Sequence, residues 1–413
     1  MITGGGTAGH TNPGIAIGEA LVAAGVDRDR IRFVGGRRGN EEELVTAAGF
    51  RIDTLPGRGI PRSVSLGALK AAAELTYGTL VGFWSVLRHR PAAVVCLGGY
   101  AAVAVSLAAV LLRVPVVVSE QNARASAVNR LIGRWARVCA LPFPDTDLPN
   151  GVVTGNPIRQ AVVDAVVGGD RATARRRLDL PADRVVVAVW SGSLGATSVN
   201  TATRELVEGW AGRSDLAVRH IVGRRDWDRF ATPPELDGLL YQLVEYETAM
   251  PDVLVAADVA VCRSGASTVA ELAVAGLPTV LVPLPNAPRD HQRANAAELV
   301  EAGGARLLDD GDLDGPTLAG RLEDLVDDGN TRRVMARAAA SVGRPDAAAA
   351  VARLVVEAAG IDITRIGAAR IGAARIEAAQ IDADEAAPTA GDPSPRPDPP
   401  RPPSDGDPRG DRR

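Results

Sequence analysis

The sequence contains few of the residues on which several common classes of protein depend. Three cysteines, Cys96, Cys139 and Cys262, are spread over 413 residues. Each ends an apolar run, and none has C-x-x-C spacing. They are typical of reduced core residues in a cytoplasmic protein, and we predict neither disulfides nor a metal site. The net charge of -4 gives no basic excess, which argues against nucleic acid as a partner.

Long apolar runs are also absent. The longest, residues 101–112, ends before Arg113 and Pro115 and is shorter than the roughly 20 residues that span a bilayer. We predict a buried helix there. Glycines begin at Gly4, before the apolar region of a signal peptide can form. A hydrophobic content of 46% with only 3% aromatic residues is typical of an α/β protein, and the length predicts two to three domains.

The sequence does contain apolar strands that end in small-residue turns followed by helices. The clearest unit spans residues 258–278. Residues 259–262 fit a buried parallel strand, and residues 268–275 fit a helix closed by Gly276 and Pro278. Because the turn after Arg263 has no bulky side chain, a phosphate can approach its backbone N–H groups and the positive end of the helix dipole. We predict an anion site at this turn.

Glu271 in this unit has two interpretations, which do not exclude each other. It follows Thr268 by three residues, the spacing of a capping box in which Thr268 is the N-cap. It also lies one turn into a helix whose N-terminus would hold a phosphate. There its two oxygens match the two hydroxyls of a ribose.

A second glycine-rich turn lies near the start of the chain. Gly4, Gly6 and Gly9 fit G-x-G-x-x-G, so a dinucleotide-binding oxidoreductase is an alternative that NADH fluorescence on binding would test. Pro13 favours a helix that begins at about residue 12, with the proline in its first turn. His10 would then lie near a helix N-terminus, where the dipole lowers the imidazole pKa and favours the neutral base. The alternative is a polar residue satisfied near a cap.

Residues 262–271, Cys-Arg-Ser-Gly-Ala-x-Thr-Val-x-Glu, resemble the donor-binding segment of the MurG family (glycosyltransferase family 28). Further matches run from about residue 3 to about residue 358. They include Gly-Gly-Gly-Thr-Ala-Gly-His-x-x-Pro at 4–13, Glu-Gln-Asn at 120–122, Thr-Gly-Asn-Pro-Ile-Arg at 154–159 and His-Gln-x-x-Asn-Ala at 291–296.

The resemblance implies a GT-B fold of the α/β class, in which two Rossmann-like parallel-sheet domains enclose a cleft. It assigns residues 1–158 to an N-terminal acceptor and membrane-side domain. Residues 159–343 form the UDP-sugar donor domain, and residues 344–360 form a helix that returns to the first domain.

The resemblance also implies an activity. The family transfers N-acetylglucosamine, with inversion, from UDP-N-acetylglucosamine to a lipid-linked N-acetylmuramyl-pentapeptide, converting lipid I to lipid II in peptidoglycan biosynthesis, a process of cell wall biogenesis on which cell shape and division depend. His10 or Glu120 would act as the base. No metal or cofactor is needed, because helix N-termini and Arg159 can neutralise the departing diphosphate. The donor-binding residues implied are Thr7, Ala8, Gly9, Asn122, Arg159, Ser193, Tyr246, Glu247, Met250, Ser264, Gly265, Ala266, Ser267, Thr268, Val269, Ala270, Glu271, His291 and Gln292.

Residues 67–89 have a long helical pattern rich in apolar and aromatic residues that ends at Arg88, His89 and Arg90. The pattern fits a core-facing amphipathic helix or a membrane-surface patch, since aromatic residues beside cations suit an anionic headgroup layer. The resemblance favours the second, because the family takes undecaprenyl-pyrophosphoryl-muramyl-pentapeptide from the inner leaflet. It implies a peripheral protein on the cytoplasmic side of the cell membrane.

Three residues depart from the family pattern in loops that we expect to face the cleft. Ser119 replaces a histidine, Ser191 a glycine and Leu194 a glutamine. These changes motivate the alternative of a paralogue with another acceptor or reduced activity. A GT-B nucleotide-sugar epimerase is a further alternative, which would need no membrane patch. Asp145 and Asp147, in a loop flanked by prolines, are interpreted as turn residues rather than a metal-binding pair.

From residue 361 the chain repeats Arg-Ile-Gly-Ala-Ala, with isoleucines five residues apart. This period matches neither a helix nor a strand, so no face stays apolar. Residues 387–413 contain nine prolines, a composition typical of disorder. We predict that residues 361–413 form a disordered tail.

Deletion of residues 361–413 is therefore expected to leave the melting temperature and the affinity for UDP unchanged, because a tail without buried contacts contributes to neither. Thermal denaturation and calorimetric titration of the truncated protein measure both quantities. A large loss of either would show that the repeat packs against the folded domains.

Overall fold

The structure is a computed structural model that describes residues 1–5, 8–37, 41–55 and 66–361, with the backbone alone for residue 8 and residues 66–76. Within these residues the chain forms two parallel sheets, each covered by helices on both faces. This architecture confirms the predicted α/β class with two Rossmann-like domains.

The first domain is built on seven parallel strands. They are β1 (Ile2–Thr3), β2 (Arg32–Gly36), β3 (Arg51–Leu55), β4 (Val94–Cys96), β5 (Val116–Ser119), β6 (Val138–Leu141) and β7 (Gly151–Val153). Their order in the sheet is β3-β2-β1-β4-β5-β6-β7. The connecting helices are α1 (Ala8–Ala23), α2 (Glu41–Ala47), α3 (Leu66–His89), α4 (Tyr100–Leu111) and α5 (Ala127–Ile132).

The second domain is built on six parallel strands. They are β8 (Val185–Trp190), β9 (Leu216–Ile221), β10 (Leu240–Val244), β11 (Val259–Cys262), β12 (Thr279–Leu281) and β13 (Ala305–Leu307). Their order is β10-β9-β8-β11-β12-β13. The helices that follow β7 are α6 (Gln160–Gly168), α7 (Arg171–Arg177), α8 (Thr197–Gly209), α9 (Trp227–Phe230), α10 (Met250–Ala256), α11 (Ala266–Ala275), α12 (His291–Glu301), α13 (Gly315–Asp327), α14 (Gly329–Ser341) and α15 (Ala347–Ala358).

In both sheets, the direction in which successive strands are added reverses beside the first strand of that sheet. In the first sheet β1 lies between β2 and β4, and in the second β8 lies between β9 and β11. Ligands of open parallel sheets bind outside the carboxyl ends of the strands at such a switch point. The loops that follow β1, β4, β8 and β11 therefore form the expected binding crevice.

Alternating side chains of each strand pack on opposite faces. In β8, Val187 and Val189 join one core cluster, while Ala188 and Trp190 join the other. A sheet buried on both faces requires the continuous apolar runs seen in the sequence. Cys96, Cys139 and Cys262 are free and buried, which confirms that they are core residues.

Helix α4 corresponds to the apolar run at residues 101–112. Ala101, Ala102, Ala104 and Val105 are buried in it, which confirms the predicted buried helix. In the described part of the chain, no helix has both the length and the apolar character needed to traverse a bilayer.

Helix α1 begins earlier than predicted. It starts at Ala8, so Pro13 lies inside the helix and not in its first turn. The proline removes only its own bond to the carbonyl of Gly9, and the helix continues past it.

Helix α15 packs on the first sheet. Val351, Ala352, Val355 and Val356 share a core cluster with residues of β1 and α1, and Ile361 packs against the same cluster. The predicted start of the tail at residue 361 is therefore one residue too early. The rest of the predicted tail, residues 362–413, lies outside the described residues.

Gly99 offers a test of this fold, because it brings β4 to the N-terminus of α4. Its φ is 83°, and an added Cβ would lie 2.2 Å from the carbonyl oxygen of Gly5. Gly99→Ala is expected to lower the free energy of unfolding by at least about 2 kcal/mol. In the control Gly320→Ala, within α13, the new Cβ meets nothing within 4 Å and should stabilise by about 0.5–1 kcal/mol. Equal effects in denaturant titrations would contradict the close approach.

Candidate active site

The predicted site residues lie on loops and in the first turns of helices that follow the carboxyl ends of strands in both domains. His10 follows β1, Glu120 follows β5, Ser193 follows β8, Ser264 follows β11 and His291 follows β12. Since parallel strands all end at the same edge, the fold collects residues that are far apart in sequence.

The N-terminus of α11 is uncapped. Its N-cap is Gly265, which provides no side-chain hydrogen bond, so the first N–H groups point toward the loop without an internal partner. The hydroxyls of Ser191, Ser264 and Ser267 are buried and have no partner in the described structure. Buried hydroxyls and N–H groups without partners, at the positive end of a helix, are the features that the predicted anion site requires.

One interpretation of this segment is wrong. Thr268 is the third residue of α11 and not its N-cap, so the capping box with Glu271 does not form. Val269 packs in the core, and its N–H donates to the Gly265 carbonyl at 2.9 Å, so its place in the donor site stays a prediction. Ala270 also packs against this core.

Glu271 carries a carboxyl group that receives no hydrogen bond from the described residues. Burial raises its pKa from the usual 4.5 to about 7, although the side chain as a whole keeps partial access to solvent. A desolvated carboxylate without donors is poorly stabilised. The two hydroxyls of a ribose would supply the missing donors.

Two of the implied donor-binding residues, His291 and Gln292, begin α12. His291 Nδ1 lies 2.9 Å from the Pro288 carbonyl oxygen. The Gln292 side-chain oxygen accepts from the Leu284 N–H at 2.9 Å. This bond leaves the amide nitrogen of Gln292 as its group for a sugar hydroxyl.

Three of the implied donor-binding residues, Tyr246, Glu247 and Met250, follow β10. The guanidinium carbon of Arg224 lies 4.2 Å from the centroid of the Tyr246 ring, a cation–π contact. The Glu247 carboxylate is bound by Arg219 at 2.6 Å and by the Ala249 N–H at 2.7 Å, so its side chain supports the loop. Met250 begins α10 and packs against the core.

The loop of residues 191–196 follows β8. Ser193 is exposed, and its carbonyl accepts from the Arg224 N–H at 3.3 Å. Leu194 is 62% exposed, whereas Ser119 is fully buried with no partner for its hydroxyl in the described structure. The expectation that Ser119 faces an open cleft is therefore wrong, because its strand β5 is covered on both faces.

His10 lies in the first turn of α1. Burial lowers its pKa, and the negative charge of Glu120 opposes that shift. The predicted direction thus holds, with desolvation rather than the helix dipole as the main cause. Of its predicted neighbours, Thr7 lies outside the described residues, the side chain of Ala8 is not described, and Gly9 is exposed.

Glu120 is buried and holds the loop that follows β5 through hydrogen bonds. Its carboxylate accepts from the N–H groups of Gln121 (2.9 Å), Asn122 (3.0 Å) and Ser126 (2.9 Å) and from the side chain of Asn129 (2.8 Å). With both oxygens engaged, it is placed to hold the loop and to act on His10 through its charge. This arrangement favours His10 over Glu120 as the base.

Arg159 forms an ion pair inside the protein. Its guanidinium binds Glu19 of α1 through Nε and Nη2, with an N–O distance of 2.9 Å for Nη2. Nη1 is not part of this pair, so the contact of Arg159 with the donor phosphates stays a prediction. The sequence did not reveal Glu19, because the two residues are 140 positions apart.

Asn295 was missed as a site residue. It is fully buried, its side chain accepts from the Ala123 N–H at 2.8 Å, and it donates to Asn122 at 3.2 Å and to the Ser264 carbonyl at 3.3 Å. The side chain of Asn122 is thereby directed at Asn295. The spacing of His291, Gln292 and Asn295 puts them on one helix face, a signal that could have identified Asn295.

Arg263 was also missed. It donates to the carbonyls of Val282 (3.2 Å) and Pro283 (3.0 Å) and to the hydroxyl of Ser198 (2.9 Å). It also pairs with Asp310 at 2.6 Å. Arg263 thus joins the loops after β12 and β13 to the first turn of α8, next to the predicted anion site.

Two parallel-sheet domains with an uncapped helix at the switch point define a protein of the GT-B class. Residues 1–140 match the family model described as Glycosyltransferase family 28 N-terminal domain, and residues 186–351 match the Glycosyltransferase family 28 C-terminal domain. The chain belongs to glycosyltransferase family 28.

Curated relatives cover most of the chain. Two are named UDP-N-acetylglucosamine--N-acetylmuramyl-(pentapeptide) pyrophosphoryl-undecaprenol N-acetylglucosamine transferase. The one from Anaeromyxobacter dehalogenans is 36% identical over 86% of this chain and 92% of its own length. The one from Alkalilimnicola ehrlichii is 37% identical over 87% of this chain and 98% of its own length.

Solved structures agree on the fold. MurG of Acinetobacter baumannii superposes with a TM-score of 0.65 and 25% identity, over 86% of this chain and 98% of that one. A putative UDP-N-acetylglucosamine 2-epimerase from Listeria monocytogenes gives a TM-score of 0.59 with 16% identity, over 86% and 94% of the two chains. At that identity the second likeness concerns the fold alone.

The Glu271 carboxyl group receives no hydrogen bond from the described residues, and this observation predicts the behaviour of Glu271→Gln. The KM for UDP-N-acetylglucosamine should rise at least about tenfold, the effect of one charged hydrogen bond. The folded pKa of Glu271 lies above its unfolded value, so its contribution to stability is present below about pH 4.5 and lost as pH rises through about 7. At pH 8 the unliganded variant should therefore be at least as stable as the wild type.

The pH dependence of binding provides the matched control. If the ribose hydroxyls bind the carboxylate form of Glu271, wild-type affinity for UDP should fall by up to about tenfold per pH unit below pH 7. Glu271→Gln should show a flat profile, and the exposed Glu323→Gln of α13 should match the wild type. A melting temperature that falls in Glu271→Gln while KM stays constant would mean that Glu271 serves folding alone.

Proposed function

We propose that this chain transfers N-acetylglucosamine from UDP-N-acetylglucosamine to a lipid-linked N-acetylmuramyl-pentapeptide in the synthesis of peptidoglycan precursors. The names of the relatives suggest the reaction. The observation that carries the proposal is the uncapped N-terminus of α11, whose unpartnered serine hydroxyls lie close in sequence to a desolvated Glu271. A diphosphate and a ribose would satisfy both.

The donor extends across the edge of the second sheet in this proposal. Its diphosphate binds the N–H groups of Ala266 and Ser267, and the ribose binds Glu271. Tyr246 covers the uracil, with Arg224 on its ring. The hexose lies toward His291 and Gln292, at the start of α12.

The chemical step is a single displacement at the anomeric carbon. The acceptor 4-hydroxyl oxygen forms the new bond to C1 while the bond from C1 to the diphosphate oxygen breaks, which inverts the configuration. His10 takes the hydroxyl proton, a role that its lowered pKa suits because the imidazole is neutral near pH 7. The charge that develops on UDP is stabilised by the N-terminus of α11.

An apolar surface on the first domain supports a membrane location. Tyr77, Leu80 and Trp84 lie on one face of α3 and are each more than half exposed, and Leu111 at the end of the adjacent α4 is 75% exposed. Arg88 and His89 occupy the last turn of α3. An exposed aromatic and apolar patch beside cations fits the headgroup layer of an anionic membrane. We infer a peripheral protein on the cytoplasmic face of the cell membrane, where its acceptor lies.

The direct test is incubation with radiolabelled UDP-N-acetylglucosamine and the lipid-linked muramyl-pentapeptide. Label should pass to the lipid. His10→Ala should reduce kcat by at least about a hundredfold, the usual contribution of a general base, with the affinity for UDP unchanged within about twofold.

Other outcomes identify the alternatives. Interconversion of the UDP-sugar without any acceptor would replace the proposal by an epimerase. Normal UDP binding with slow transfer would favour a paralogue with another acceptor, altered by Ser119, Ser191 and Leu194. Full transfer by His10→Ala would refute His10 as the base.

A further inference from the structure

The loop of residues 120–126 in the first domain is held by side chains of the second. Asn295 of α12 accepts from the Ala123 N–H at 2.8 Å. Arg289, just before α12, donates to the Ala125 carbonyl at 2.9 Å. These two contacts fix the backbone of the loop at positions two residues apart.

Asp147 completes this set of contacts from the first domain. Its carboxylate accepts from the Ala125 N–H at 3.1 Å and from the Arg289 guanidinium at 2.9 Å. The sequence marks Asp147 only as a turn residue. In the structure it links the loop, its own domain and the second domain.

The segment that carries Arg289 is strained. Arg289 and Asp290 have φ values of 58° and 50°, the left-handed region that residues other than glycine rarely adopt. Two such residues in succession persist only where surrounding contacts hold them. The contacts of Arg289 with the first domain are of this kind, and His291 and Gln292 follow directly.

We propose that Asp147, Arg289 and Asn295 are positioning residues that form an interdomain clasp. The clasp couples the conformation of loop 120–126 to the backbone conformation of the sugar-side segment at His291 and Gln292. The proposal rests on the proposed function, since it assigns the two sides of the clasp to acceptor and donor.

Through the clasp, a bound donor sugar would affect the position of the groups around the catalytic base, His10. Loop 120–126 is held from the inside by Glu120, which accepts from the N–H groups of Asn122 and Ser126. The charge of Glu120 acts on His10. A donor sugar that orders His291 and Gln292 would therefore also fix the groups around the base on the acceptor side.

The test compares Asp147→Asn, Arg289→Gln and the double variant. Each single change should lower kcat for transfer about three- to tenfold and leave the affinity for UDP within about twofold, because the clasp lies outside the nucleotide contacts. The double variant should lose less than the product of the two single effects, since the two side chains bind each other and the same residue, Ala125. Arg289→Lys, which keeps the charge but loses the second donor group, should fall between wild type and Arg289→Gln.

Arg306 provides a matched control. It also donates to a backbone carbonyl, that of Arg321, and pairs with an aspartate, Asp324, but both partners lie in its own domain. Arg306→Gln should leave kcat unchanged.

Hydrogen exchange of the free protein gives a readout independent of turnover. Peptides covering residues 120–127 should exchange at least about fivefold faster in Arg289→Gln and not in Arg306→Gln. Unchanged exchange, or additive losses in the double variant, would overturn the clasp. If the wild type transfers no sugar, the proposed function fails, while the exchange result still decides whether the clasp exists.

Discussion

The functional part of the structure depends on one helix N-terminus that the protein leaves unsatisfied. Gly265 caps α11 without a side-chain bond, and the hydroxyl of the fully buried Ser264 has no partner among the described residues. Unmade hydrogen bonds at a buried helix end are costly. The fold tolerates this cost because Arg263, the residue before Ser264, joins the surrounding loops to one another and keeps the uncapped turn in place.

Hydrogen bonds and an ion pair join the two domains close to the predicted site residues. Asn295 bonds both to loop 120–126 of the first domain and to the Ser264 carbonyl, just before α11. A phosphate bound at the N-terminus of α11 would thus be one side chain away from that loop. The ion pair of Arg159 with Glu19 forms a second connection, near the start of α6.

Local sequence patterns predicted the structural features that depend only on residues close together in the chain. The strand, turn and helix around Gly265, the left-handed Gly276 and the buried cysteines follow from apolar runs and small residues within a short window. The sequence does not reveal partners that are distant along the chain. Glu120 and Arg159 suggest catalysis and phosphate binding by residue type, and only the fold shows the hydrogen bonds to Glu120 and the ion pair of Arg159. The true N-cap of α11 was missed because glycine and threonine both fit that position.

Burial acts in opposite directions on the two titratable groups central to the site. It lowers the pKa of His10, which favours a neutral base, and raises that of Glu271 to about 7, which disfavours its carboxylate. Before donor binds, Glu271 is therefore protonated in a large part of the molecules at neutral pH. Hydrogen bonds from a ribose would stabilise the charged form, so donor binding at this site would release a proton and add a negative charge. The lowered pKa of His10 favours the neutral imidazole, the form that can accept a proton from an acceptor hydroxyl.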